Sequence, residues 1–172
     1  RTVEADKVLA RVPAEYPDLA DYALFLLAEH RNGKKIYSEA VVLYDRMITV
    51  HPSSTLVPRA LLRRAQALFD SGAYRDSATV FAKILWEHPR SEQASEAGLG
   101  LGKAHTAACD LQAAVRAYLD VTIRYPGNGN DAEAERALAS LKQLGAAVPS
   151  LTAEEWYERG KTLYRLLQYD KA

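Results

Sequence analysis

Prolines at positions 52, 89 and 126 stand 37 and 37 residues apart. A chain that returns to the same residue at a fixed interval of this size is an array of like units, and each unit is one small supersecondary element. The other prolines lie at 13, 17, 58 and 149. They leave proline-free stretches of about 30 residues in which apolar side chains recur three and four apart, enough for two helices each. Proline lacks an N–H and cannot continue a helix, so each proline of the series marks the end of a hairpin. Composition agrees: 29 Ala and 22 Leu against 15 Val plus Ile favour helices over pleated strands. The reading is all-α, with no sheet.

Counting each of the three prolines as position 32 brings the units into register. Position 8 then reads Ala28, Ala65, Gly102 and position 20 reads Ala40, Ser77, Ala114. Both columns are small, as two antiparallel helices require where they cross at 8 to 10 Å. Position 24 reads Tyr44, Phe81, Tyr118, position 27 reads Met47, Ile84, Val121, and position 17 reads Tyr37, Tyr74, Leu111. The aromatic at position 24 is expected to fill space against the neighbouring hairpin.

Small residues at 8 and 20, aromatics at 17 and 24, and proline at 32 resemble the tetratricopeptide repeat. The resemblance implies helical hairpins at 21–52, 58–89 and 95–126, stacked into a right-handed superhelix that forms one helical-repeat domain over 1–172. Residues 1–17 read as the tail of a preceding unit, because Tyr16-Pro17 lies 35 residues before Pro52. Residues 131–144 read as a lone helix ending at Gly145, opened by Asn130 with Glu133 three residues on. Residues 152–172 read as a truncated fourth repeat, with Trp156, Gly160, Tyr169 and Ala172 at positions 4, 8, 17 and 20. Thr152 and Glu155 form a capping-box pattern at its start. Because that hairpin stops in its second helix, the chain is expected to be part of a longer protein.

Such arrays bind partners in an inner groove. First-helix positions 2, 5, 9 and 12 are expected to face it, which selects Tyr22, Phe25, Arg59, Leu62, Gln66, Phe69, Leu99 and Lys103, with Glu29, Glu96 and Thr106 at the same phase. Tyr157 and Tyr164 are further candidates for an exposed binding surface. Some tetratricopeptide co-chaperones hold a peptide carboxylate with Lys and Asn at these sites, but position 5 here is Phe25, Leu62 and Leu99. The remaining members of the small and aromatic columns, including Gly160, are assigned to repeat packing.

Lys plus Arg and Asp plus Glu both number 22, so no net field attracts nucleic acid or acidic lipid. The longest apolar run, Ala23 to Ala28, is far short of the roughly 20 residues that span a bilayer. One cysteine, Cys109, excludes an internal disulfide, and four scattered His give no metal-ligand spacing. Cys109 falls in the turn between two helices. The run Gly98-Leu99-Gly100-Leu101-Gly102-Lys103 lacks the first glycine and the Ser or Thr that a phosphate loop needs, Ala97 and Ala104 standing there instead. His51 and His88 read as helix-end residues, and Glu154 with Glu155 as first-turn acids. No serine elbow, zinc helix or dinucleotide fingerprint appears. The expectation is a non-catalytic region without a cofactor or metal, whose partners are proteins or peptides.

Two further stretches narrow the reading. The opening Glu15-Tyr16-Pro17-Asp18-Leu19-Ala20-Asp21-Tyr22-Ala23-Leu24 is similar to the start of helical domains in soluble lytic murein transglycosylases. So is the order of three repeats, a lone helix ending Leu144-Gly145, then Leu151-Thr152-Ala153-Glu154-Glu155. This resemblance implies a periplasmic scaffold that holds or positions a peptidoglycan-cleaving domain outside these residues, with no catalytic residue to carry over. The alternatives are an envelope-assembly or cell-division adaptor that binds proteins through its groove, and a cytoplasmic peptide-binding adaptor.

Overall fold

The computed structural model describes residues 9, 11, 12 and 15–169. Every regular element among them is helical, so the all-α expectation holds. Of the segment read as the tail of an earlier unit, residues 1–8, 10, 13 and 14 lie outside the described set, as do residues 170–172 at the other end. The helices divide into two compact units, residues 1–93 and 94–172.

The first unit opens with a 3-10 turn, Pro17–Leu19, and continues as α1 Ala20–Gly33, α2 Tyr37–Val50, α3 Val57–Asp70 and α4 Tyr74–Glu87. Each helix packs on the next, and α1 also touches α3. The second unit comprises α5 Ala94–Ala107, α6 Leu111–Arg124, α7 Asn130–Gln143 and α8 Ala153–Tyr169. There α5 packs on α6, α6 on α7, and α8 lies against α6. Leu99, Val115, Tyr118, Val121, Leu138 and Leu141 form the core, onto which Ala146 and Val148 of the α7–α8 connection also pack.

The proline period is a structural period. First helices start at Ala20, Val57 and Ala94, second helices at Tyr37, Tyr74 and Leu111, and all six are 14 residues long. Second helices end where a residue precedes proline. His51, His88 and Tyr125 carry φ of −125°, −131° and −128° with positive ψ, the extended region that a following proline imposes. First helices end in a left-handed residue at position 15, namely Lys35 (φ 60°), Gly72 (φ 87°) and Cys109 (φ 61°). The next N–H in each case reaches back five residues: Ile36 to the Arg31 carbonyl, Ala73 to Leu68 and Asp110 to His105, at 3.0, 2.9 and 2.9 Å. This is a Schellman cap, which satisfies carbonyls left over at the helix end.

The small columns sit where the helices touch. Ala28, Ala40, Ala65, Ser77 and Ala114 are fully buried, and the Ser77 hydroxyl donates to the Ala65 carbonyl across the hairpin at 2.8 Å. The aromatic column departs from expectation. A Cβ added to Gly102 would lie 2.5 Å from Cδ1 and 2.7 Å from Cζ of Tyr118, so position 24 packs on the first helix of its own hairpin. Tyr44 likewise meets Phe25 of its own hairpin, with ring centroids 6.0 Å apart. The reason is helical spacing: position 24 lies one turn beyond position 20 and shares its face. Phe81 is buried at the same phase.

A second recurring contact ties two of the three inter-hairpin loops to a helix start. The Ser54 hydroxyl donates to the Asp21 carboxylate at 2.5 Å, and in the second unit the Asn128 amide donates to Ser95 Oγ at 2.5 Å. Both pairs join position 34 to position 1. Between them in sequence, position 34 is Ser91 and position 1 is Pro58, which offers no side-chain polar group, and the buried Ser91 hydroxyl has no hydrogen-bond partner.

Three readings of the C-terminal part are corrected. Gly129, with φ 86°, is the cap residue of α7, and Asn130 is the first helical residue, its side-chain amide donating to Ser95 instead of serving a capping box. Gly160 is exposed with open space beyond it, because no second helix lies beside it. Finally, α8 runs unbroken to Tyr169, through the place where repeat phase requires a turn; Ala172 is outside the described residues. The Thr152 box does form: Glu155 N–H donates to Thr152 Oγ1 at 3.2 Å and Thr152 N–H to Glu155 Oε2 at 2.7 Å.

Candidate binding surface

Residues three and four apart on a helix share a face, so positions 2, 5 and 9 of α1 and α3 form two adjacent stripes. The middle of each stripe is not at the surface. Phe25, Leu62 and Leu99 are 3%, 4% and 4% exposed, which corrects their assignment to a ligand-facing groove. A large apolar side chain at position 5 is drawn into the hairpin, and the polar residues around it are what a partner meets.

In the first unit those residues form a connected layer over a buried aromatic pair. The Arg59 guanidinium lies over the Phe25 ring, 5.3 Å from its centroid. Such a stack is worth about 0.5–1 kcal/mol at an exposed site and fixes where the charge sits. The Tyr44 hydroxyl donates to Glu29, whose other carboxylate oxygen is 3.6 Å from Arg63 Nε. Arg63 in turn donates to the Gln66 side chain at 2.9 Å. Burial pushes the Tyr44 hydroxyl far above its ordinary value, and the hydrogen bond to Glu29 and that carboxylate's charge add to the shift. The hydroxyl therefore stays protonated and acts as a fixed donor. Glu29 is committed to Tyr44 and Arg63, whereas Arg59 has no carboxylate within ion-pair distance among the described residues. Tyr22 stands exposed beside this layer. Phe69 is half-buried and packs edge-on against Tyr74, with centroids 5.1 Å apart.

The second unit repeats the theme more weakly. Lys103 is exposed but ion-paired to Glu133 at 2.7 Å. The Tyr118 hydroxyl comes within 3.5 Å of Thr106 Oγ1, and burial raises its pKa. The glycine run of residues 98–102 lies inside α5, not in a loop. Tyr157 and Tyr164 are exposed on α8.

Sequence reasoning missed Arg63 and the polar role of Tyr44. The available signal was a pair of opposite charges, Glu29 and Arg63, 34 residues apart on successive first helices. Among the described residues no group of three or more His, Cys, Asp or Glu could hold a metal, and no helix is long and apolar enough to cross a membrane.

Helices of one length, repeated at one phase and joined by identical caps, define an all-α helical-repeat protein. Residues 59–91 match the family model of the tetratricopeptide repeat, a module that mediates protein–protein interaction. That stretch is the hairpin of α3 and α4, where the small columns, the aromatic Phe81 and Pro89 all fall. Among curated proteins no relative matches the chain.

Proposed function

We propose that the chain is a scaffold whose α1–α3 face captures a protein segment bringing a carboxylate to Arg59, beside the exposed ring of Tyr22. The observation that carries this reading is Arg59 itself: its position is fixed by Phe25, its charge is not neutralised by a neighbour, and it lies at the surface. Selection of binders from a displayed library of acidic, aromatic-containing peptides supplies the probe. Arg59→Ala should weaken the selected peptide at least about tenfold, or about 1.4 kcal/mol, while loss of its stack on Phe25 lowers the thermal midpoint by no more than about 4 °C. Unchanged affinity refutes the assignment. Lys103→Ala, which removes a charge already paired with Glu133, should have the smaller effect.

At a finer level, this scaffold serves a periplasmic lytic murein transglycosylase, holding or positioning its peptidoglycan-cleaving domain. Support comes from the stretch Glu15 to Leu24 and from the order of repeats, lone helix and Thr152-capped helix. The full-length product of the gene encoding this chain should clear suspensions of purified murein sacculi. Failure to do so refutes the hydrolase reading and favours an envelope adaptor built on the same surface.

A further inference from the structure

The three arginines of α3 differ in how their charge is answered. Arg64 Nε pairs with Asp45 at 2.7 Å, and Arg63 Nε has a Glu29 oxygen 3.6 Å away. Arg59 is exposed and stacks on Phe25, with no carboxylate within ion-pair distance among the described residues. Residues 59 and 63 are one turn apart and share a face of the helix, whereas Arg64 is turned about 100° from Arg63.

Arg59 and Arg63 converge on one hydroxyl. Burial and Glu29 raise the Tyr44 pKa while the charges of Arg63 and Arg59 oppose the rise, so both guanidiniums and the carboxylate lie within electrostatic reach of the same oxygen. Phe25 and Glu29 are one turn apart on α1, which brings that carboxylate alongside the ring that carries Arg59. Glu29 is held on two sides, by the Tyr44 hydroxyl at one oxygen and by Arg63 at the other. The remaining acids of the first hairpin are engaged elsewhere: Asp21 by Ser54, Glu39 by Arg31 and Asp45 by Arg64. The face thus presents two cations and one fixed anion. Packing does not demand that anion, because the next two units carry Gln66 and Lys103 at the same phase.

Given that Arg59 captures a carboxylate, as proposed above, we infer that Glu29 determines the specificity of this face: it cancels Arg63, so that a singly charged carboxylate is taken in preference to a phosphate dianion. A phosphorylated side chain carries about −1.5 to −2 charge at pH 7 and is held by clustered arginines. With Glu29 in place the second arginine is already answered, and the additional charge of a phosphate faces a carboxylate. Without the charge of Glu29, two guanidiniums one turn apart are open to it.

The probe is the acidic, aromatic-containing peptide selected on the parent chain, compared by fluorescence anisotropy with a copy in which the acid needed for binding is replaced by phosphoserine. The parent chain should bind the phosphoserine copy no more tightly than the acidic peptide. Glu29→Gln keeps an acceptor for the Tyr44 hydroxyl and should shift the preference toward phosphoserine at least about threefold; adding Arg63→Gln should abolish that shift. Arg63→Gln alone leaves Glu29 uncancelled and should weaken the phosphoserine copy more than the acidic peptide. Thermal midpoints check folding, and Arg63→Gln serves as the test if Glu29→Gln does not fold. A parent chain that prefers phosphoserine, or a preference that neither variant moves, overturns the inference while leaving the capture by Arg59 intact. Binding indifferent to Arg59→Ala overturns that capture, and the role of Glu29 falls with it.

Discussion

Gly102 offers the most direct test of the hairpin geometry. Adding a methyl group there places carbon 2.5 Å from Tyr118 Cδ1, whereas unstrained carbons sit at about 3.5–4.0 Å, so the ring must retreat by about 1 Å or more. Tyr118 is buried in the core of the second unit and cannot swing into solvent. Overpacking of this kind costs about 1–3 kcal/mol. Against it stands the gain of about 1 kcal/mol from replacing glycine with alanine inside a helix. Gly102→Ala should therefore destabilise by about 1 kcal/mol, a fall of about 2–4 °C in the thermal midpoint for a chain of this size. In a Tyr118→Leu background the ring is gone and only the helix gain remains, so the same substitution should stabilise by about 1 kcal/mol. The measurement is urea unfolding of the four chains followed by helical circular dichroism, with Gly33→Ala, where nothing lies within 4 Å, as the control for propensity alone. A Gly102→Ala effect that has the same sign in both backgrounds, or that matches Gly33→Ala, refutes the close approach of positions 8 and 24.

Other expectations follow from the periodic contacts. Cys109→Gly and Lys35→Gly should each stabilise by about 0.5–1 kcal/mol in the same unfolding assay, because left-handed backbone penalises any side chain, while Gly72→Ala should destabilise by about 1 kcal/mol. Ser54→Ala should cost about 1 kcal/mol through loss of the Asp21 hydrogen bond, whereas Ser91→Ala should be neutral or stabilising, since that buried hydroxyl has no protein partner. The Ser54 hydrogen bond also holds the Asp21 carboxyl below its ordinary value of 3.8. Its stabilising effect is present above that pH and fades as pH falls further; in Ser54→Ala the Asp21 carboxyl resonance should titrate at higher pH by NMR. Tyr44 has the opposite sign. Its pKa is raised in the folded chain, so stability is full below the ordinary tyrosine value of 10.0 and is lost as pH climbs beyond it. Urea midpoints between pH 8 and 11.5 should fall less steeply for Tyr44→Phe than for the parent chain.

The hairpin architecture was legible because it is written in residues whose physics is local. Proline at position 32 forces the preceding residue out of the helical region, and small side chains at 8 and 20 allow close crossing, so Pro52, Pro89 and Pro126 with Ala28, Ala40 and Ala65 carried the all-α helical-repeat reading. The surface was less legible. Phase alone assigned Phe25, Leu62 and Leu99 to a ligand-facing stripe, but phase cannot say how deeply a hairpin draws in its position 5 side chain. Arg63 was missed because its role depends on a contact with Glu29 of a different hairpin, and the hydroxyl of Tyr44 because the packing phase places the ring but not the partner of its polar end. Capping was read correctly at Thr152, where the partner is three residues away, and wrongly at Asn130, whose amide is claimed by the distant Ser95.

The left-handed turn after α5 has a practical use. It presents the chain's single thiol, Cys109, to solvent on a backbone kink held by hydrogen bonds on both sides. A maleimide dye or nitroxide attached there occupies one defined position in the second unit. Its signal would report the tumbling of that unit against the tumbling of the whole chain.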